Sequence, residues 1–171
     1  SKLPSIFQEN GTVTAGNASG INDGAAAVVL CDATIAESEH LQPIARLVAY
    51  GHAGVDPKYM GMGPIPAVQQ ALRRACLTLE DIDIIESNEA FAVQACAVAR
   101  ELGFDPSRTN PNGGAVAFGH PIGATGCILT IRAIYELHRI KGRYALVTMC
   151  IGGGQGIAAI FERLPSFEQL N

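Results

Sequence analysis

Charge is scarce in this chain: 16% of its 171 residues are Asp, Glu, Lys or Arg, and the formal net charge is −4. That leaves no basic stripe to hold a phosphate backbone, so nucleic acid is not expected as a partner. Long apolar runs are missing too. No stretch approaches the ~18 apolar residues that a membrane-spanning helix needs. The opening SKLPSIFQENGTVTAG also lacks the basic-then-apolar order of a secretory leader. No membrane partner and a cytoplasmic location are expected. The cysteines at 31, 76, 96, 127 and 150 form no CxxC pair, which removes the common zinc spacings, so no metal site is expected. An odd, scattered set suits a reducing compartment. What the chain has in quantity is apolar: 48% hydrophobic residues, enough for a well-buried core in one domain or slightly more.

Residues 1–15 show no sustained period. The turn-rich stretch 16–24, GNASGINDG, feeds an apolar run at 25–30, read as a helix end passing into a buried strand around 28–31. Ser19 there suits either a helix cap or a ligand contact. Residues 43–54 read as a long strand with partial alternation. Met60-Gly61-Met62-Gly63-Pro64 is a loop with a proline-started helix behind it, whose Val68, Leu72, Ala75 and Cys76 share one face. The methionines fit a pocket lining or ordinary core packing. Residues 82–86 alternate as a strand and run into Ser87-Asn88-Glu89, then a helix to about Leu102. Asn88 and Glu89 fit a helix start with or without a further task. A helix over 122–139, a buried strand over 144–149 and a last strand over 157–161 complete the pattern. Strands alternating with helices predict a layered α/β domain with a largely parallel sheet.

In such a sheet the carboxyl ends of the strands gather on one edge, where ligands bind. Asn88, His120 and Cys150 each follow, or end, a predicted strand. His120 stands within GGAVAFGHPIGATG, residues 113–126. It is read there at the tip of a strand-to-helix turn, where the positive end of the helix favours a neutral imidazole. Cys150 precedes Gly152-Gly153-Gly154, whose unobstructed backbone N–H groups are suited to an anion. A free thiol is a weak base until its thiolate is favoured. Beside an imidazole, an amide and backbone donors, it suits proton removal alpha to a carbonyl or thioester whose oxyanion the donors hold. An inert strand-end cysteine is the plainer alternative.

Five segments in order, GNASGINDGAA, GMGPIPA, SNEAFAVQACAVA, GGAVAFGHPIGATG and CIGGGQG, resemble the carboxyl-terminal portion of the thiolase family, and its acetyl-CoA C-acetyltransferase branch in particular. The resemblance runs from about Gly11 to Leu164. It implies a layered domain with a mixed, mainly parallel five-stranded sheet and helices on both faces. Residues 1–41 would end the amino-terminal domain, 42–164 would form the carboxyl-terminal one, and 165–171 would be a tail. By the same resemblance His120 would activate a nucleophilic cysteine and help form an oxyanion hole, which Asn88 completes through a water. Cys150 would exchange a proton with the substrate alpha carbon, and the Gly152 N–H would serve a second oxyanion hole. Ser19 and Ala18 would contact pantetheine, and Met60 and Phe91 would line the acyl pocket. The implied reaction is thiolysis of acetoacetyl-CoA, or the reverse Claisen condensation of two acetyl-CoA. Coenzyme A thioesters would be the substrates, with no cofactor, in a homo-oligomer. The family's acyl-accepting cysteine belongs to an amino-terminal half and matches none of the five here. Turnover is therefore expected to need that half, and a broader 3-oxoacyl-CoA thiolase or a non-catalytic coenzyme A-binding half of a split enzyme are the rival readings.

Overall fold

The computed structural model describes residues 2–165, so the expected tail beyond Pro165 lies outside the described residues. Four strands form one mixed sheet: β1 (Ala45–Gly54), β2 (Ile84–Ser87), β3 (Tyr144–Ile151) and β4 (Gln155–Arg163), in the order β1-β4-β3-β2. The hairpin between β3 and β4 turns on Gly153 and Gly154, both at positive φ (81° and 86°) that glycine adopts without strain. That turn makes β3 and β4 antiparallel, and β1 adds to β4 antiparallel as well. β2 and β3 are parallel, which requires the long crossover between them. The α/β class and the mixed sheet are as expected. The strand count is four rather than five among the described residues, and two of the three pairings are antiparallel rather than mainly parallel.

Helices cover both faces. α2 (Pro64–Ala75) starts with Pro64 in its first turn and ends at Cys76 in the left-handed region, with Arg73 and Arg74 at its negative end. Its buried Ala67, Val68 and Ala71 join Ile85, Leu146, Ala158, Ile160 and Val98 of α3 (Ala92–Leu102) in one core. β1 passes so close to α2 that a side chain at Gly51 would run into the Ala67 carbonyl. On the opposite face α5 (Thr125–Ile140) packs Leu129, Ala133 and Leu137 on Ile84, Ala145 and Val147. The short helices α1 (Ala33–Ser38) and α4 (Ala115–Phe118) are peripheral to these cores.

Two local expectations fail for physical reasons. The apolar run at 28–31 forms no strand; Val29 and Leu30 are 96% and 83% exposed. A strand needs a neighbour for its backbone groups, and none of the described residues supplies one. The expected strand before His120 is instead α4, a single turn. Gly114 enters it extended, Gly119 leaves it at φ 97°, and the Glu89 carboxylate accepts the Val116 N–H at 3.2 Å. α5 then begins at Thr125 rather than at 122, because 122–124 are spent in a turn whose Ala124 and Thr125 N–H groups bond to the Pro121 carbonyl. The stretch feeding His120 is thus helix, glycine, turn, helix.

Candidate active site

The parallel pairing of β2 with β3 sets Asn88 and Cys150 at one end of the sheet. Ser87 is level with Thr148, and the Asn88 N–H donates to the Thr148 carbonyl at 3.0 Å. Asn88 caps no helix, since α3 begins four residues later with Phe91 as its N-cap. Its side chain is 2% exposed, and its Nδ2 lies 3.3 Å from His120 Nε2. The Asn88 Oδ1 is buried without a hydrogen-bond partner.

His120 reaches that position from a segment held on both sides. Its backbone N–H donates to the Gly20 carbonyl at 3.2 Å and to the Asn22 Oδ1 at 3.1 Å. Gly119 packs against the same Asn22, where any larger residue would collide. On the ring, Nδ1 is 2.6 Å from the Thr125 hydroxyl. Burial lowers the His120 pKa, so the imidazole is neutral near pH 7. Burial, rather than the expected helix end, is what favours the neutral ring. Cys150, next to last in β3, is half-buried, and burial raises its pKa. It is a protonated thiol at neutral pH. The Gly152 that follows β3 begins the tight turn to β4.

Ser19 does not cap a helix. Both its N–H and its hydroxyl donate to the Ala90 carbonyl at 3.0 Å, and the adjoining Ala18 bridges to Phe91. This stitches the 16–21 segment across the start of α3. The Phe91 ring meets Phe7 edge-on, with centroids 6.0 Å apart. Met60 comes from the 3-10 turn Pro57–Met62 ahead of α2. Ala18, Ser19, Met60, Phe91, His120, Cys150 and Gly152 all line one cavity of about 790 Å³. Asn88 stands behind it, bonded to His120. Among the described residues no group of His, Cys, Asp and Glu has metal-binding geometry, and no helix is long and apolar enough to cross a membrane.

The family model for the thiolase C-terminal domain matches residues 41–163, and that for the thiolase N-terminal domain matches residues 1–34. The chain belongs to the thiolase family. This thiolase chain is 65% identical over 164 residues to beta-ketothiolase BktB of Cupriavidus necator, covering 95% of the chain and 42% of the relative. It is 56% identical to the 3-oxoadipyl-CoA/3-oxo-5,6-dehydrosuberyl-CoA thiolase of Escherichia coli, over 95% of the chain and 41% of that protein. Among solved structures, the acetyl-CoA acetyltransferase of Bacillus anthracis superposes with a TM-score of 0.93 at 48% identity, over 95% of this chain and 41% of that one. The thiolase chain thus spans about two fifths of the length of the relatives it matches.

Three residues that support or line the thiolase site escaped the sequence reading. Thr125, 2% exposed, touches the His120 ring, and Asn22 holds the His120 backbone. Phe7, from the irregular amino-terminal stretch, closes the cavity beside Phe91. A threonine in a first helical turn and an asparagine in a turn both look ordinary in sequence. Only the fold shows what stands beside them.

Proposed function

We propose that this chain is the proton-handling portion of a thiolase that cleaves acetoacetyl-CoA with coenzyme A, or condenses two acetyl-CoA in reverse. The observation that carries the reading is the convergence of a neutral imidazole, a thiol and the glycine turn after β3 on one apolar cavity. In condensation, a cysteine of the amino-terminal half carries the acetyl group as a thioester, after His120 takes the proton from that nucleophile. The coenzyme A thiolate leaving in that acyl transfer takes the Cys150 thiol proton, and the Cys150 thiolate so formed removes an alpha proton from the second acetyl-CoA. The resulting enolate attacks the acyl carbon, and the nucleophile leaves as thiolate. In thiolysis the same groups work backwards: the nucleophile attacks the 3-oxo carbon, the carbon–carbon bond breaks, and the Cys150 thiol protonates the departing enolate. A thiol kept protonated by burial suits that acid step. The Gly152 N–H and the Asn88–His120 pair are assigned to the two oxyanions, Ala18 and Ser19 to the pantetheine arm, and Met60 and Phe91 to the acyl group.

These substrates call on no cofactor, and five free cysteines fit a reducing cytoplasmic setting. The partners proposed are the amino-terminal thiolase half and further copies in a homo-oligomer. A second reading, a broader 3-oxoacyl-CoA thiolase, is favoured by the names of the beta-ketothiolase and 3-oxoadipyl-CoA thiolase relatives. The test is thiolysis of acetoacetyl-CoA and of longer 3-oxoacyl-CoA by this chain, alone and combined with an amino-terminal thiolase domain. Expected are no turnover alone and turnover restored in the combination, fastest with acetoacetyl-CoA. Faster cleavage of the longer substrates selects the broader enzyme. Coenzyme A binding without restored turnover leaves a binding module.

A further inference from the structure

We propose that Thr125 is a positioning residue that holds neutral His120 in the tautomer with its proton on Nδ1, leaving Nε2 as the ring's acceptor and base. A threonine hydroxyl has one proton to give. Thr125 lies in the first turn of α5, four residues beyond Pro121, and its Oγ1 donates to the Pro121 carbonyl at 2.9 Å. This is the back-bond that helical threonines commonly make. With that proton committed, the hydroxyl offers only a lone pair to the ring nitrogen 2.6 Å away. Nδ1 is then the donor. On the other side of the ring Asn88 presents Nδ2, which can only donate, 3.3 Å from Nε2.

The polarity therefore runs one way: Asn88 N–H to Nε2, Nδ1–H to Thr125, and Thr125 O–H to the Pro121 carbonyl. Asn88 and Thr125 are each 2% exposed, so water does not compete freely for either contact. The reverse order would cost the Thr125–Pro121 bond and turn the Asn88 amide. Free histidine prefers the opposite tautomer, with its proton on Nε2, so the surroundings must impose this one. When Nε2 accepts a proton, the Asn88 N–H gives up its bond to that lone pair, while Nδ1–H keeps its bond to Thr125. The ring is faced by Asn88 from the end of β2 and Thr125 of α5, and it shares its cavity with the Cys150 thiol of β3. Burial alone lowers its pKa, with no contribution from a charged side chain among the described residues.

The value of this tautomer to catalysis rests on the reading of His120 as the base for the nucleophile, but the tautomer is measurable without turnover. The experiment records ring ¹⁵N shifts of His120 in the labelled chain at about pH 8, above the ordinary histidine value of ~6.5, with His120→Gln for assignment. Wild type and Thr125→Ser are expected to show a protonated, pyrrole-type Nδ1 and an unprotonated Nε2. Thr125→Val, of similar shape but without the hydroxyl, is expected to make the Nε2–H form the majority. A wild-type ring protonated on Nε2, or an unchanged ratio in Thr125→Val, overturns the proposal. If Thr125→Val does not fold, wild type and Thr125→Ser still decide: the Nε2–H form in either one sinks it. Failure of the functional reading looks different. The tautomer would hold while His120→Gln left turnover of the combined halves intact.

Discussion

His120 and Cys150 meet the same physical force with opposite chemical results. Burial disfavours charge, so it leaves the imidazole neutral and able to accept a proton, and leaves the thiol protonated and able to give one. The division of labour follows. In the enzyme reconstituted with its amino-terminal half, Cys150→Ala should suppress alpha-proton exchange while acyl transfer to the nucleophile continues. His120→Ala should damage both steps. Each loss is expected at ~10²–10⁴-fold, the range for removing one acid–base group or oxyanion donor. Solvent deuterium exchange into acetyl-CoA and trapping of the acyl-enzyme read the two steps apart, and equal effects of both variants on acyl-enzyme formation would sink the division. At this scale the sequence was informative about identity and silent about support. His120 and Cys150 were legible because glycine-rich turns at predicted strand ends are poor places for core residues, and Asn88 because it follows a predicted strand. Thr125 and Asn22 were not, because their meaning depends on segments five and almost a hundred residues away.

Among the elements, β2 carries a buried carboxylate just ahead of Asn88. Glu86 is fully buried, its Oε2 is 3.4 Å from Arg132 Nε, and its Oε1 has no partner. Arg132, on α5, also donates to the Gly113 carbonyl at 2.7 Å and stacks its guanidinium 4.3 Å from the Phe118 ring centre. One ion pair thus ties β2 and α5 to the segment that delivers His120. Burial outweighs the arginine and raises Glu86 from 4.5 to about 7. A raised folded value means that the folded state binds the extra proton. The stability it contributes is complete below about pH 4.5 and lost as pH rises through about 7. Glu86→Gln should flatten this dependence. Relative to wild type, the variant should gain on the order of 3 kcal/mol between pH 4.5 and 8, at ~1.4 kcal/mol for each pH unit separating the two values. Urea unfolding of both proteins across that range measures it; parallel curves would show that Glu86 does not titrate as described. The major elements were legible from period and punctuation: the proline start of α2, the alternation of β2, the glycine turn after β3. α4 was not. Four apolar residues fit a strand or a helical turn equally well, and the choice is made by Gly114, Gly119 and the Glu89 carboxylate.

At the scale of the molecule, the amino-terminal stretch is attached to the carboxyl-terminal domain by a few specific contacts and is otherwise open. Ala18 bridges to Phe91, Ile21 bridges to His120, and Phe7 packs on Phe91. The side chains of this stretch stay open nonetheless: Ile21, Val29 and Leu30 are 90%, 96% and 83% exposed. Apolar patterning marked 28–31 as a buried strand, and the structure shows neither the strand nor the burial. Residues 1–34, which include this stretch, match the thiolase N-terminal domain. Burying a large aliphatic side chain is worth ~1.5–3 kcal/mol, so the three residues together hold several kcal/mol of unused association energy. Ordinary domains have total stabilities of only ~5–15 kcal/mol. The chain by itself is therefore expected to self-associate through residues 21–31, and an added amino-terminal thiolase domain is expected to compete with that association. Sedimentation velocity over a hundredfold range of concentration should show reversible growth, and Val29→Ser with Leu30→Ser should reduce it. Hydrogen exchange should find the amides of 25–31 open in the dilute chain and protected once the amino-terminal domain is present. A monomer at every concentration with those amides already protected would mean that the chain covers this segment by itself.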